Sequence, residues 1–104
     1  MGINDKRREI SLLFDFYSPL LSERQREAID LYYNQDLSLS EIAENLGITR
    51  QGVRNAIVTG EEYLFFLEKS LKLAEYDQKV RQTAEKILAL TDDEQVVNEA
   101  KKLL

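Results

Sequence analysis

The stretch Leu37-Ser-Leu-Ser-Glu-Ile-Ala-Glu-Asn-Leu-Gly-Ile-Thr-Arg-Gln-Gly-Val53 is written as two short helices across a tight turn. Ser38-Leu-Ser-Glu41 is a capping box, and Leu37 stands at staple spacing from Ile42. Gly47 is the residue type that ends a helix in the left-handed region. Thr49 is a suitable N-cap for the helix that follows. A helix-turn-helix needs a small residue where its helices cross, a turn residue tolerating positive φ, and apolar residues that lock the pair. Ala43 meets the first need, Gly47 the second, and Ile42, Leu46, Ile48, Val53 and Ile57 the third. An ordinary αα-hairpin uses the same glycine, so the weight rests on the set in register.

Upstream, Ser22-Glu-Arg-Gln25 is a second capping box, opening a helix whose apolar face is Ala28, Ile29, Leu31 and Tyr32 and which Asn34-Gln-Asp36 closes. Before it, Asp5 to Tyr17 places Ile10, Leu13, Phe14 and Tyr17 on one helical stripe, and Ser18-Pro19 ends that helix. Downstream, Val53, Ile57, Gly60, Leu64, Leu67, Leu71 and Ala74 recur as a heptad seam through one long helix. Gly60 is its weak link, where a bend or break is expected, since glycine costs roughly 1 kcal/mol against alanine in a helix interior. Two further helices are expected, over Gln78 to Ala89 and after a third box at Thr91-Asp-Asp-Glu94. No run alternates with strand period, so the fold class is all-α.

At 104 residues the chain fits one small domain with a helical extension. The expected division is a helix-turn-helix domain over residues 1–60 and a helical extension, tail and dimerisation region over 61–104. A chain this small has little core, which favours some burial in a dimer. It has no Cys and no His, which removes disulfides, thiolate metal sites and the commonest general base. Met1-Gly-Ile-Asn-Asp-Lys-Arg-Arg-Glu9 is too polar for a signal peptide, and no apolar run reaches membrane-spanning length. A cytoplasmic location is expected, with no membrane partner. The 14 basic residues face 19 acidic ones, a net charge of −5. Any nucleic-acid-binding patch must therefore be local, and long-range steering weak.

Leu21-Ser-Glu-Arg-Gln-Arg-Glu27 with Ser38-Leu-Ser-Glu-Ile-Ala-Glu-Asn-Leu-Gly-Ile-Thr-Arg50 resembles the promoter-reading fourth region of bacterial sigma factors. More closely, Leu13-Phe-Asp-Phe-Tyr17, Leu31-Tyr-Tyr33, Ser38-Leu-Ser-Glu-Ile-Ala43 and Arg50-Gln-Gly-Val53 together resemble the YlxM family of small bacterial helix-turn-helix proteins. The resemblance covers Ile10 to Leu73. It implies a sigma-region-four-like all-α protein with a long recognition and dimerisation helix, forming a cytoplasmic homodimer. Because genes of that family neighbour those of the signal recognition particle, it also implies a regulatory role in that pathway and partners among the particle's components. One departure stands out: where family members carry a basic pair after the recognition helix, this chain has Val58-Thr59. Losing two phosphate contacts weakens nonspecific DNA binding.

The residues expected to touch double-stranded DNA or structured RNA are Arg50, Gln51, Arg54 and Asn55, which point away from Val53 and Ile57. Arg forks onto guanine, and Gln or Asn onto adenine. The competing reading is a solvated polar face. Ser40 and Thr49 are candidate phosphate donors, though capping explains them as well. Lys6-Arg7-Arg8 is the densest basic cluster, flanked by Asp5 and Glu9, and a short charge run of this kind is ordinarily just solvated. Leu64, Leu67 and Leu71 are the expected dimer interface, with packing on the chain's own tail as the alternative. Most aromatic residues fall on core stripes; Phe16 and one of Phe65 and Phe66 do not, and suit packing against a partner. Glu61-Glu62 face different directions, and Asp92 to Glu94 suit a helix N-terminus. No catalytic residues, metal ligands or cofactor-binding motif are found. The expected function is a non-enzymatic, regulatory nucleic-acid-binding protein. Its rival is a protein-interaction module of the targeting machinery that keeps the fold without binding DNA.

Overall fold

The computed structural model describes residues 3–104. The fold is all-α, and among the described residues there is no strand. The chain divides into two compact units, one running to Leu71 and the other comprising Lys72–Leu104. The expected boundary at residue 60 thus falls inside a helix, eleven residues before the observed one.

In the first unit, α1 (Ile3–Tyr17) ends in a short 3₁₀ turn at Ser18–Leu20, with Pro19 in its opening positions. α2 (Glu23–Ile29) begins at Ser22, whose Oγ accepts from Gln25 N at 3.1 Å while Gln25 Oε1 accepts from Ser22 N at 3.0 Å. Both halves of the capping box are therefore formed, and two N–H groups that a helix start leaves orphaned are satisfied. Arg26 reinforces this corner by donating to the carbonyls of Ser18 and Leu21, both at 3.1 Å.

α2 does not end cleanly. It passes into a π-helical turn at Asp30–Asn34, and the chain leaves through Asp36, whose φ is +56°. Such turns leave carbonyls without regular helical partners. Arg7 of α1 supplies donors for two of them, reaching Tyr32 O at 3.3 Å and Tyr33 O at 3.1 Å. The same guanidinium binds Asp36 Oδ1 at 2.5 Å and lies 5.1 Å from the centroid of the Tyr33 ring. The first helix is thereby pinned to the π-helical turn.

α3 (Leu39–Leu46) and α4 (Arg50–Leu71) form the helix-turn-helix. Ser38 caps α3 as the sequence predicts, with Glu41 N donating to Ser38 Oγ at 3.1 Å and Ser38 N to Glu41 Oε1 at 3.0 Å. Gly47 takes the left-handed conformation at φ +69°. Ala28, Ile42, Ala43, Val53, Ala56 and Ile57 make a buried cluster that binds α2, α3 and α4 together.

The expected long helix is corrected at two points. Gly60 does not break α4, which runs through it without interruption. Its missing side chain makes room for α2: a Cβ there would stand 2.5 Å from Ile29 Cδ1 and 3.3 Å from Gln25 Cβ. The helix then stops at Leu71 rather than continuing to Ala74, because Lys72 adopts a left-handed conformation at φ +55°.

The second unit is a hairpin of α5 (Leu73–Leu90) and α6 (Glu94–Lys101). Arg81 closes it by donating to the carbonyl of Leu104 at 3.1 Å. Its only buried hydrophobic residues are Ala74, Ala84 and Ala100. The third capping box is not formed as expected. Asp93, not Thr91, caps α6, its Oδ1 accepting from Gln95 N at 2.9 Å and Val96 N at 3.2 Å. Thr91 serves one step earlier, accepting from Asp93 N at 3.0 Å.

Candidate nucleic-acid interface

The start of α4 is fixed from two sides. Thr49 Oγ1 accepts from Gly52 N at 3.0 Å, an N-cap bond. Val53, Ala56 and Ile57 are buried, which sets the rotation of the helix. Arg50, Gln51, Arg54 and Asn55 are consequently all exposed on α4. Neither Arg50 nor Arg54 makes an ion pair or hydrogen bond among the described residues. Gln51 Nε2 donates to Asn55 Oδ1 at 3.0 Å, aligning the two amides one turn apart. Asn55 in turn keeps a free amide nitrogen for an outside acceptor. Five of the six expected contact residues thus lie within the first two turns of α4 or at its cap. Ser40 lies apart from them, exposed in the first turn of α3.

The expected basic cluster at the chain start is divided. Arg7 is committed to the π-helical turn and Asp36, and Lys6 Nζ lies 3.6 Å from Glu61 Oε2. Arg8 remains exposed. Thr59 is likewise occupied with structure, its Oγ1 donating to Asn55 O at 2.8 Å and accepting from Gln25 Nε2 at 3.2 Å, while Val58 is exposed.

A feature the sequence reading missed lies beside this face. Lys6, Tyr32, Tyr33, Arg54, Val58 and Glu61 line a cleft of about 220 Å³. Within it the Tyr33 hydroxyl donates to Glu61. Burial, and then that bond to an anionic acceptor, push the Tyr33 hydroxyl well above the ordinary tyrosine range. The Glu61 side chain is only 13% exposed, whereas Glu62 is solvent-facing, so adjacent acids on one helix have opposite environments. No local pattern announces this arrangement, because Tyr33 and Glu61 are 28 residues apart.

The expected dimer seam also divides. Leu64 and Leu67 are buried within the single chain, and of the three only Leu71 is exposed. A seam already covered by its own chain leaves little for a second subunit. Tyr63 and Phe66 are exposed instead, their rings stacked at 6.1 Å.

Among the described residues no group of His, Cys, Asp or Glu is placed to hold a metal ion. No described helix is long and apolar enough to cross a membrane. Residues 4–104 match the family model described as "Putative helix-turn-helix protein, YlxM / p13 like". The chain belongs to this family. Among curated relatives, a member from Caldanaerobacter subterraneus subsp. tengcongensis is 45% identical over 78 residues, covering 75% of this chain and 67% of that protein. A Bacillus cereus member is 39% identical over 98 residues, or 94% of this chain and 89% of its own. One from Acetivibrio thermocellus reaches 52% identity over 69 residues, 66% of this chain and 59% of the relative. The helix-turn-helix seen in this chain thus agrees with the description of its family.

Proposed function

We propose that this YlxM-like protein is a non-enzymatic regulator that binds double-stranded DNA or structured RNA by presenting the start of α4 to a groove. One observation carries the reading: burial of Val53, Ala56 and Ile57 turns Arg50, Gln51, Arg54 and Asn55 outward together, with both guanidiniums uncommitted. A helix-turn-helix uses this part of its second helix to reach base edges. Thr49 and Ser40 take phosphate oxygens at the rim. The modest charge makes binding weak and salt-sensitive. The protein works in the cytoplasm as a homodimer, in which exposed Leu71, Tyr63 and Phe66 are better placed than Leu64 or Leu67 to meet a second subunit. Its resemblance to the YlxM group further links it to signal recognition particle components.

A second reading has its own observation. The stacked, exposed pair Tyr63 and Phe66 lies further along α4 and suits a protein partner. In that case the protein is an interaction module of the targeting machinery that retains the fold without binding DNA.

Fluorescence anisotropy separates the two. Wild type and an Arg50→Ala/Arg54→Ala variant are compared on a mixed-sequence duplex and on a structured RNA, at low and physiological salt. Binding that falls steeply with salt and disappears in the variant supports the groove-reading function. Absence of binding to either polymer overturns it in favour of the interaction module.

A further inference from the structure

The cleft beside the groove-facing residues is not explained by the helix-turn-helix alone. Its lining includes Arg54, which also belongs to the proposed reading face, and Lys6. Tyr32 and Tyr33 line it as well. Two cations and two aromatic hydroxyl-bearing rings make a surface suited to an anion with a flat or apolar neighbour. The group that receives the donors from within is Glu61. It accepts from the Tyr33 hydroxyl, and one of its oxygens lies 3.6 Å from Lys6 Nζ. With its side chain only 13% exposed, it is held there by Tyr33 and Lys6 rather than left to swing in solvent.

We propose that this cleft is a phosphodiester subsite flanking the groove-reading face, and that Glu61 is its internal occupant, holding Lys6 and lowering the protein's affinity for nucleic acid. The proposal rests on the nucleic-acid reading above. A phosphate approaching Arg54 from the cleft side meets the Glu61 carboxylate, and two anions sharing one small site repel each other. Lys6, already paired, releases few counterions when the polymer binds. The site therefore carries cationic groups whose contribution is largely cancelled from inside. This gives a local account of weak binding that net charge alone does not, since it names the residue whose removal restores affinity.

Glu61→Gln is the test, because glutamine keeps the shape and its carbonyl still accepts from Tyr33. The probes are a fluorescein-labelled mixed-sequence DNA duplex and a labelled RNA hairpin, titrated by anisotropy across a salt series. Glu62→Gln, one residue along and solvent-facing, makes the same change in net charge and is the control. The expected result is about tenfold tighter binding for Glu61→Gln at low salt. Its log–log salt slope on the duplex should steepen by about 0.9, the signature of one further phosphate contact. Adding Lys6→Ala to Glu61→Gln should abolish most of that gain. Comparing the DNA and RNA arms tells which polymer delivers the phosphate. Equal effects of Glu61→Gln and Glu62→Gln, or a gain that survives loss of Lys6, overturn the subsite while leaving the helix-turn-helix reading intact. No binding by wild type or by any variant overturns both. Thermal unfolding of each variant, followed by circular dichroism, verifies that the comparisons are made between folded proteins.

Discussion

Gly60 on α4 and Ile29 on α2 meet so closely that a Cβ on the first would stand 2.5 Å from Cδ1 of the second. The crossing of α2 and α4 therefore depends on a residue lacking a side chain, set against one that is fully buried. Gly60→Ala improves helix propensity by roughly 1 kcal/mol, yet overpacking costs 1 to 3 kcal/mol by rough estimate. The expected outcome is a net loss of about 1 kcal/mol in urea denaturation. Adding Ile29→Val, which removes the offending methyl, should recover part of that loss. Strict additivity of the two changes would show that the contact is not the cause.

Ser38 starts α3, and its reciprocal bonds with Glu41 also tune that carboxylate. Bonds from the Ser38 backbone N–H and then its hydroxyl hold the Glu41 carboxyl below its ordinary 4.5. A lowered acid favours the folded state above the unfolded value, and the benefit is lost as pH falls through the folded value. Ser38→Ala should cost about 1 kcal/mol. NMR titration of the variant should place the Glu41 carboxyl closer to its ordinary range.

Arg7 joins α1 to the carbonyls of Tyr32 and Tyr33 and to Asp36. Its side chain is 30% exposed and Asp36 is far more so, which screens the ion pair. The bonds to backbone carbonyls are the durable part. Arg7→Ala should lower stability by about 1 kcal/mol after that discount. All of these bonds come from Nη2, so Arg7→Lys should restore part of the loss, the remainder being the guanidinium's contact with the Tyr32 and Tyr33 rings. Equal stability of Arg7→Lys and wild type by denaturant melt would refute the role given to the ring contacts.

The Tyr33 hydroxyl, held protonated by burial and by Glu61, has an alkaline consequence. Its ionisation in the unfolded chain near pH 10 is opposed in the folded one. The stabilisation is complete below that pH and is lost as pH rises above it. Wild-type stability should fall more steeply than that of Tyr33→Phe above pH 10, as measured by urea denaturation across a pH series. Parallel pH profiles for the two proteins would contradict this.

The parts of the fold that depend on near neighbours were legible in the sequence. Ser22, Ser38 and Gly47 act within one turn of themselves, so their identity and spacing announce the helix ends. The outward placement of Arg50, Gln51, Arg54 and Asn55 followed from the same register. What escaped the reading is held by partners distant along the chain. The π-helical turn is satisfied by Arg7, 25 and 26 residues away, and no local periodicity encodes that. Gly60 reads locally as a defect, and only the position of Ile29 makes it a requirement. The end of α4 was hidden for another reason: apolar spacing continues from Leu67 through Leu71 to Ala74, and position 72 holds Lys rather than the Gly or Asn that usually takes a left-handed helix stop. At Asp93 the sequence offered two competent caps close together, and the carboxylate nearer the helix prevailed over Thr91.

The α5–α6 hairpin fully buries only alanines, with Val80, Ile87, Leu88 and Val97 half-buried, so it removes little apolar surface from water. Its backbone amides should therefore become accessible through excursions that cost far less than opening the unit containing α1 to α4. Native-state hydrogen exchange would then sort the protein into an outer tier of quick exchangers after Leu71 and an inner tier before it. Heating would register as a graded loss of order rather than one sharp event, so a single melting temperature describes the unit containing α1 to α4 and not the whole chain.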